Sequence, residues 1–180
     1  MRVTVTEYDP RWPEQFTRLR EVLLAALRDV DVLAVEHVGS TAVPGLRAKP
    51  VIDVDVVVAR PSLAGALGAL EALGYTYVGE QGVTDRHALR APDDGVPRHV
   101  YVCLEGSVAL RNHLLVRDAL RQDAALRDEY ARVKEDLARR DLPDMDAYVA
   151  GKTPVLQRIL ASRGLNATEL AAIAAQNPTP

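Results

Sequence analysis

The chain has 180 residues, a formal net charge of −3 and one cysteine. That length suits one ordinary domain that buries a real core without staples. A lone Cys103 excludes an internal disulfide and a cysteine-built zinc site, and the scattered Lys and Arg leave no strong nucleic-acid signal. No apolar run approaches the roughly 20 residues of a membrane span. No signal-type apolar stretch follows Met1, so the expected compartment is the cytoplasm.

Val3 and Val5 alternate with Thr4 and Thr6, which predicts a short opening strand. Trp12, Phe16, Leu19, Leu23 and Leu27 then recur at steps of three and four, an apolar stripe on a helix that starts at a proline. A strand is expected over 32–38, followed by a polar, glycine-bearing turn at 39–45. The run Val51 to Val58 is β-branched almost throughout, as in a central strand covered on both faces. Leu63, Leu67, Leu70 and Leu73 predict a second helix, ended by Gly74. Shorter strands follow at 75–78, near 87–90 and at 99–104. From Val108 the pattern is helical, with Thr153-Pro154 marking a helix start between two apolar stripes. The sum is one α/β (α+β) domain over 1–165 with a helical C-terminal part. A tail over 166–180 is expected to be partly helical, then frayed.

The polar interruption of the central strand is Asp53-x-Asp55. Two residues apart on a strand, these side chains share a face, with Cα atoms about 6–7 Å apart. At an effective dielectric near 20 their repulsion is about 2.5 kcal/mol. An oxygen-seeking divalent ion, Mg2+ or Mn2+, would offset it; a solvated strand end or loop amides would also serve. Gly39-Ser40, one short loop earlier, offers backbone N–H groups and a hydroxyl of the kind that hold phosphate oxygens, or it is an ordinary turn.

A strand, then Gly-Ser, then Asp-x-Asp on the next strand is similar to the signature of polymerase-β-like nucleotidyltransferases. The text from Glu36 to Asp53, with Tyr8-Asp9-Pro10-Arg11-Trp12-Pro13, Leu73-Gly74-Tyr75, Arg117-Asp118-x-Leu120-Arg121 and Tyr148-x-x-x-Lys152, resembles the GrpB family over residues 3–162. The resemblance implies a nucleotidyltransferase-type mixed sheet flanked by helices. It also implies Asp53 and Asp55 as the catalytic metal pair and Gly39, Ser40 and Thr41 as the phosphate turn. Lys49 and Lys152 are further candidates for phosphate or nucleotide.

The third carboxylate of that signature is missing. The strand Arg98 to Leu104 has none, leaving His99 as stand-in ligand or base and Glu105, just past it, as a weaker choice. Arg47, Arg86, Arg98 and Arg117 are possible anion contacts, with an Arg117–Asp118 ion pair as the alternative. His37 either orients the turn or is packed; His113 and Tyr148 read as packing residues. The expected partner is a small-molecule nucleotide or phosphorylated metabolite. Three functions stay open: metal-dependent nucleotidyl or phosphoryl transfer, a non-catalytic binding module, and a metal-dependent phosphohydrolase.

Overall fold

The computed structural model describes residues 3–175. One five-stranded sheet organises it, built from β1 (Val32–Val38), β2 (Ile52–Val58), β3 (Thr76–Gly79), β4 (Arg86–Arg90) and β5 (Arg98–Leu104) in the spatial order β1-β2-β5-β4-β3. Strands β2 and β5 run parallel at the centre, and every other pairing is antiparallel. The sheet is mixed because a helix and the β3–β4 hairpin intervene between β2 and β5.

Strand alternation sorts β2 into two faces. Ile52, Val54, Val56 and Val58 join Val100, Val102 and Leu104 of β5 in the main core. That face is covered by α1 (Trp12–Ala26) and α2 (Leu63–Ala72), whose Trp12, Leu23, Ala66 and Leu70 are buried against it. The stripe expected on α2 is narrower than its leucines suggest. Leu70 is fully buried, but Leu73 lies past the last turn and is exposed, because Gly74 with φ +99° ends the helix.

The opposite face carries Asp53, Asp55 and Val57. It is covered by α3 (Val108–Gln122), whose Leu110 and Leu114 pack on Val57 and Cys103. Two more helices, α4 (Ala124–Arg139) and α5 (Met145–Ser162), complete a bundle with α3. Its apolar centre takes in Val43 and Leu46 from the loop before β2. Ser107, Asp123 and Asp144 cap these helices by accepting from the N–H three residues on. A final helix, α6 (Ala167–Ala175), lies within the expected tail and packs Leu170 and Ile173 onto Leu160 and Leu115. Positions 176–180 of that tail lie outside the described residues.

Two local expectations are corrected. The opening strand is a single bridge, Thr6 to Ala48, while Val3 is buried against Leu137 and Tyr148. Thr153-Pro154 starts no helix, since α5 runs through it. A proline inside a helix costs about 3 kcal/mol, but Tyr148, Val155, Ile159 and Leu160 are all buried along this one helix. Packing of that face outweighs the lost bond.

Gly151 lies where α5 meets α4: a Cβ there would stand 2.5 Å from Leu137 Cδ2 and 3.3 Å from its Cγ. Gly151→Ala is expected to destabilise the fold by about 1–3 kcal/mol through overpacking. Gly68→Ala, on α2 with open space around it, is expected to stabilise by up to about 1 kcal/mol through helix propensity. Urea unfolding midpoints of the two variants check both signs.

Candidate active site

Strand β1 ends at Val38, opposite Asp53 on β2. The next residue, Gly39, has φ +70° and presses on the carboxylate: a Cβ there would stand 2.1 Å from Asp53 Oδ2. Only glycine fits so close an approach in that conformation. Ser40–Ala42 then form one 3-10 turn. Behind it Thr41 is buried, donating to the Val51 carbonyl at 3.2 Å and lying 3.0 Å from His37 Nε2. The hydroxyl has one proton, already given to Val51, so His37 Nε2–H donates to Thr41 Oγ1. His37 also stacks on Phe16, with ring centroids 4.6 Å apart. It is thus a packed histidine that bolts the turn from behind, and Thr41's hydroxyl is fully used there.

The two aspartates lie in different surroundings. Asp53 is half-buried and pairs across β5 with His99, whose Nδ1 is 2.8 Å from its Oδ1. Asp55 has no exposed surface, and its Oδ2 lies 2.7 Å from Nδ1 of His113 on α3. The other oxygen, Asp55 Oδ1, is buried with no hydrogen-bond partner of normal geometry among the described residues, the Cys103 thiol lying beside the carboxylate. Opposite Asp55 on β5 stands Tyr101. Its phenol is held up at about 12 by burial, and by Asp53 beyond that. The ring separates the two histidines, with centroids 6.4 Å from His99 and 6.0 Å from His113.

A cavity of about 250 Å³ opens between this face and the bundle, bordered by Gly39, Ser40, Arg86, His113, Arg117 and Lys152. Among the described residues no carboxylate pairs with Arg86 or Lys152, whereas Arg117 is held by Glu36 at 2.6 Å and Asp118 at 2.7 Å. Lys152 is brought down to about 8, by burial first and by Lys49 nearby, with Asp53 opposing. Arg86 stacks over Tyr101 at 4.7 Å and leaves its buried Nε unbonded.

Beneath the turn lies Lys134, 2% exposed, donating to Ser40 Oγ at 3.1 Å and to the Arg47 carbonyl. Burial, then the charge of Lys152, lowers it to about 7. Lys134 was absent from the expectations. Its signal was there, since it lies four residues after Tyr130 and three before Leu137, on the helix face that is otherwise apolar. His113 was read as packing and instead holds Asp55.

Among the other expected residues, Lys49 is exposed beside Lys152 and does not border the cavity. His99 faces a separate groove of about 660 Å³ with Arg90 and Val78. Glu105 is exposed at the end of β5. Arg98 is occupied by Asp94 and the Tyr75 hydroxyl, and Arg47 by Glu7 and Glu135. Tyr148 is buried in an apolar cluster, with Lys152 Nζ 4.6 Å over its ring. No group of three or more His, Cys, Asp or Glu placed to hold a metal exists among the described residues, and no helix among them is long and apolar enough to cross a membrane.

Burial, reinforced by Arg121, lowers His37 from 6.5 to about 4. As pH falls through about 6.5 the unfolded chain takes up this proton and the folded one does not, so stability is full above 6.5 and drains towards 4. The loss is expected to be roughly 3 kcal/mol, and His37→Gln should flatten the curve of unfolding free energy against pH in that window. Gly39→Ala is expected to lower stability by about 1–3 kcal/mol, read from urea midpoints at neutral pH.

The sequence profile of the GrpB protein family matches residues 2–162. A UPF0157 protein of Streptomyces coelicolor is 41% identical over 167 residues, covering 91% of this chain and 86% of its own length. The crystal structure of the conserved protein GrpB from Enterococcus faecalis superimposes with a TM-score of 0.76 at 33% identity, covering 89% of this chain and 99% of that one. The Cid1 poly(U) polymerase with MgGTP superimposes with a TM-score of 0.60 at 18% identity, over 85% of this chain and 50% of that one, a likeness of fold. With its sheet of the nucleotidyltransferase type and a family match along nearly its whole length, the chain belongs to the GrpB family.

Proposed function

We propose that the chain is a divalent-metal-dependent transferase that moves a phosphoryl or nucleotidyl group from a nucleotide or related phosphorylated metabolite to a small acceptor, in the cytoplasm. The observation that carries this reading is a charge imbalance. Arg86 and Lys152 border the cavity of one glycine-serine turn and Lys134 lies beneath that turn, and none of the three has a carboxylate partner among the described residues. Buried cations without partners are costly. An anion with several oxygens in the cavity resolves the two that border it, and phosphate matches the fork of Arg86 and the point charge of Lys152.

The acid pair fits magnesium or manganese. Asp53 and Asp55 share a face, and Asp55 Oδ1 has an open coordination position in a dry place. Magnesium needs only one or two carboxylates, taking its remaining oxygens from substrate phosphate and water. When bound, such an ion would neutralise charge building on the phosphate oxygens. The chain's own groups do the rest. Gly39 and Ser40 seat the phosphate, Lys134 fixes the Ser40 hydroxyl, and Lys152 and Arg86 hold its outer oxygens. His99 fixes the rotamer of Asp53, leaving Oδ2 beside the turn. Catalysis of this kind is positioning plus electrostatic stabilisation.

A second reading, a non-catalytic binding module for the same ligands, is favoured by Tyr101, which stands beside Asp55 where a third carboxylate would activate the acceptor.

Thermal melting against nucleotides and phosphorylated metabolites, with and without magnesium or manganese, tests the site. A ligand at 100 times its Kd is expected to add about 2.7 kcal/mol, and Asp53→Asn/Asp55→Asn to lose the metal-dependent part. Product analysis on each hit then divides the readings. A modified acceptor supports transfer, phosphate released to water alone makes it a hydrolase, and an unchanged ligand makes it a binding module. No shift with any of them would sink the reading that nucleotides or phosphorylated metabolites are the donors.

A further inference from the structure

His113 occupies a position that its role as a partner of Asp55 does not exhaust. Its Nδ1 lies 2.7 Å from Asp55 Oδ2. With the carboxylate accepting, the neutral ring carries its proton on Nδ1 and its lone pair on Nε2, although Asp55, working against burial, raises the ring above its ordinary value. Among the described residues Nε2 has no hydrogen-bond partner, yet it is not sealed off, because His113 borders the cavity. The other groups on that border include Ser40, Arg86 and Lys152, donors suited to phosphate oxygens. His99 is excluded from this space by the Tyr101 ring. A phosphorus atom held there meets two nitrogens that can carry a lone pair, His113 Nε2 and Lys152 Nζ, and of these only His113 is held in place by a carboxylate partner.

The size of the cavity points the same way. At about 250 Å³ it falls below the range of roughly 300–1,000 Å³ typical of sites that enclose a whole ligand. It accommodates one phosphorylated group at a time. A lone pair bordering so small a space lies close to any phosphoryl group held in it.

We propose that His113 Nε2 is a covalent way-station that takes the phosphoryl or nucleotidyl group from the donor before passing it to the acceptor. The proposal rests on reading the cavity as a phosphate site. In the first step the Nε2 lone pair forms an N–P bond, and the P–O bond to the leaving group breaks with its electron pair departing on that oxygen. The Nδ1 proton stays between the ring and Asp55, whose charge offsets the imidazolium. In the second step an acceptor hydroxyl oxygen forms a new P–O bond. The N–P pair returns to Nε2, and the hydroxyl proton leaves to water. His113 is then a catalytic residue and Asp55 its positioning residue, by the same carboxylate–imidazole logic that serves other histidine sites.

The test uses the full chain and potassium phosphoramidate, a small phosphoryl donor that reacts with histidine nitrogens and needs no nucleotide. Peptide mass spectrometry and 31P NMR locate the label. His113 is expected to be phosphorylated at Nε2 roughly tenfold or more faster than the more exposed His99, with Lys152→Met slowing it. The adduct should be acid-labile and base-stable. Labelling of His113 no faster than His99, or at Nδ1, would overturn the proposal. His113→Asn retains an N–H for Asp55 without a ring nitrogen. With any donor found by melting, it should keep the melting shift and lose transfer to below about 1% of wild type. If that variant still transfers, passage is direct and the way-station fails while the transferase reading stands. If phosphoramidate labels His113 but no nucleotide or phosphometabolite shifts the melting curve, the way-station stands and the named donor class fails.

Discussion

A carboxylate with no exposed surface governs this fold. Asp55 sits in the middle of the central parallel pair, where each neighbour on the strand is also buried. Withdrawing such a group from water is expensive unless hydrogen bonds or a cation replace the lost solvation. One of its oxygens is satisfied by His113, which must come from across the sheet on α3. The position of α3 then sets those of α4 and α5, which pack on it through Leu120, Tyr130 and Ile159. The helical third is therefore no appendix. It completes the solvation of a residue laid down in the first third of the chain, and it walls the cavity in doing so.

The loop between β1 and β2 joins the two halves. On one side Gly39 touches the Asp53 carboxylate; on the other, Val43 and Leu46 are fully buried in the helical bundle. Lys134 pins the same loop from below through Ser40 and the Arg47 carbonyl. A segment held by glycine geometry, two apolar anchors and a buried ammonium has little freedom left. Preorganisation of this sort suits the turn to the phosphate role proposed above, since donors already aimed need no reordering when a ligand arrives.

Legibility in the sequence followed range. Gly39-Ser40 and Asp53-x-Asp55 could be placed on a turn and a strand because both signals are local. The helices of the first half could be placed because their stripes are regular. In the sequence Arg86 is only one of four possible anion contacts and His113 reads as packing: the first reaches the site through the β4–β5 pairing, the second through α3 packing on the sheet. No periodicity reports such contacts. Lys134 is legible as a charge on an apolar stripe, but the sequence alone does not say which loop it meets. Pro154 misled because its local preference is real and tertiary packing overrides it. The short β3–β4 hairpin kept its place, though β3 starts and ends a residue later and β4 starts a residue earlier than the pattern, as element ends commonly do.

The parallel pairing of β2 with β5 has a consequence for the order in which the molecule loosens. The two strands lie some 46 positions apart in the chain and are covered on both faces, so their amides should be among the last to exchange with solvent. The bundle that supplies Lys152 and His113 joins the sheet mainly through α3 and one loop, so it belongs to a less protected layer. The acids thus ride on the slowest-exchanging part of the protein and most of the cations on a faster one. A brief departure of the outer layer would open the cavity while the aspartate spacing stays as it is.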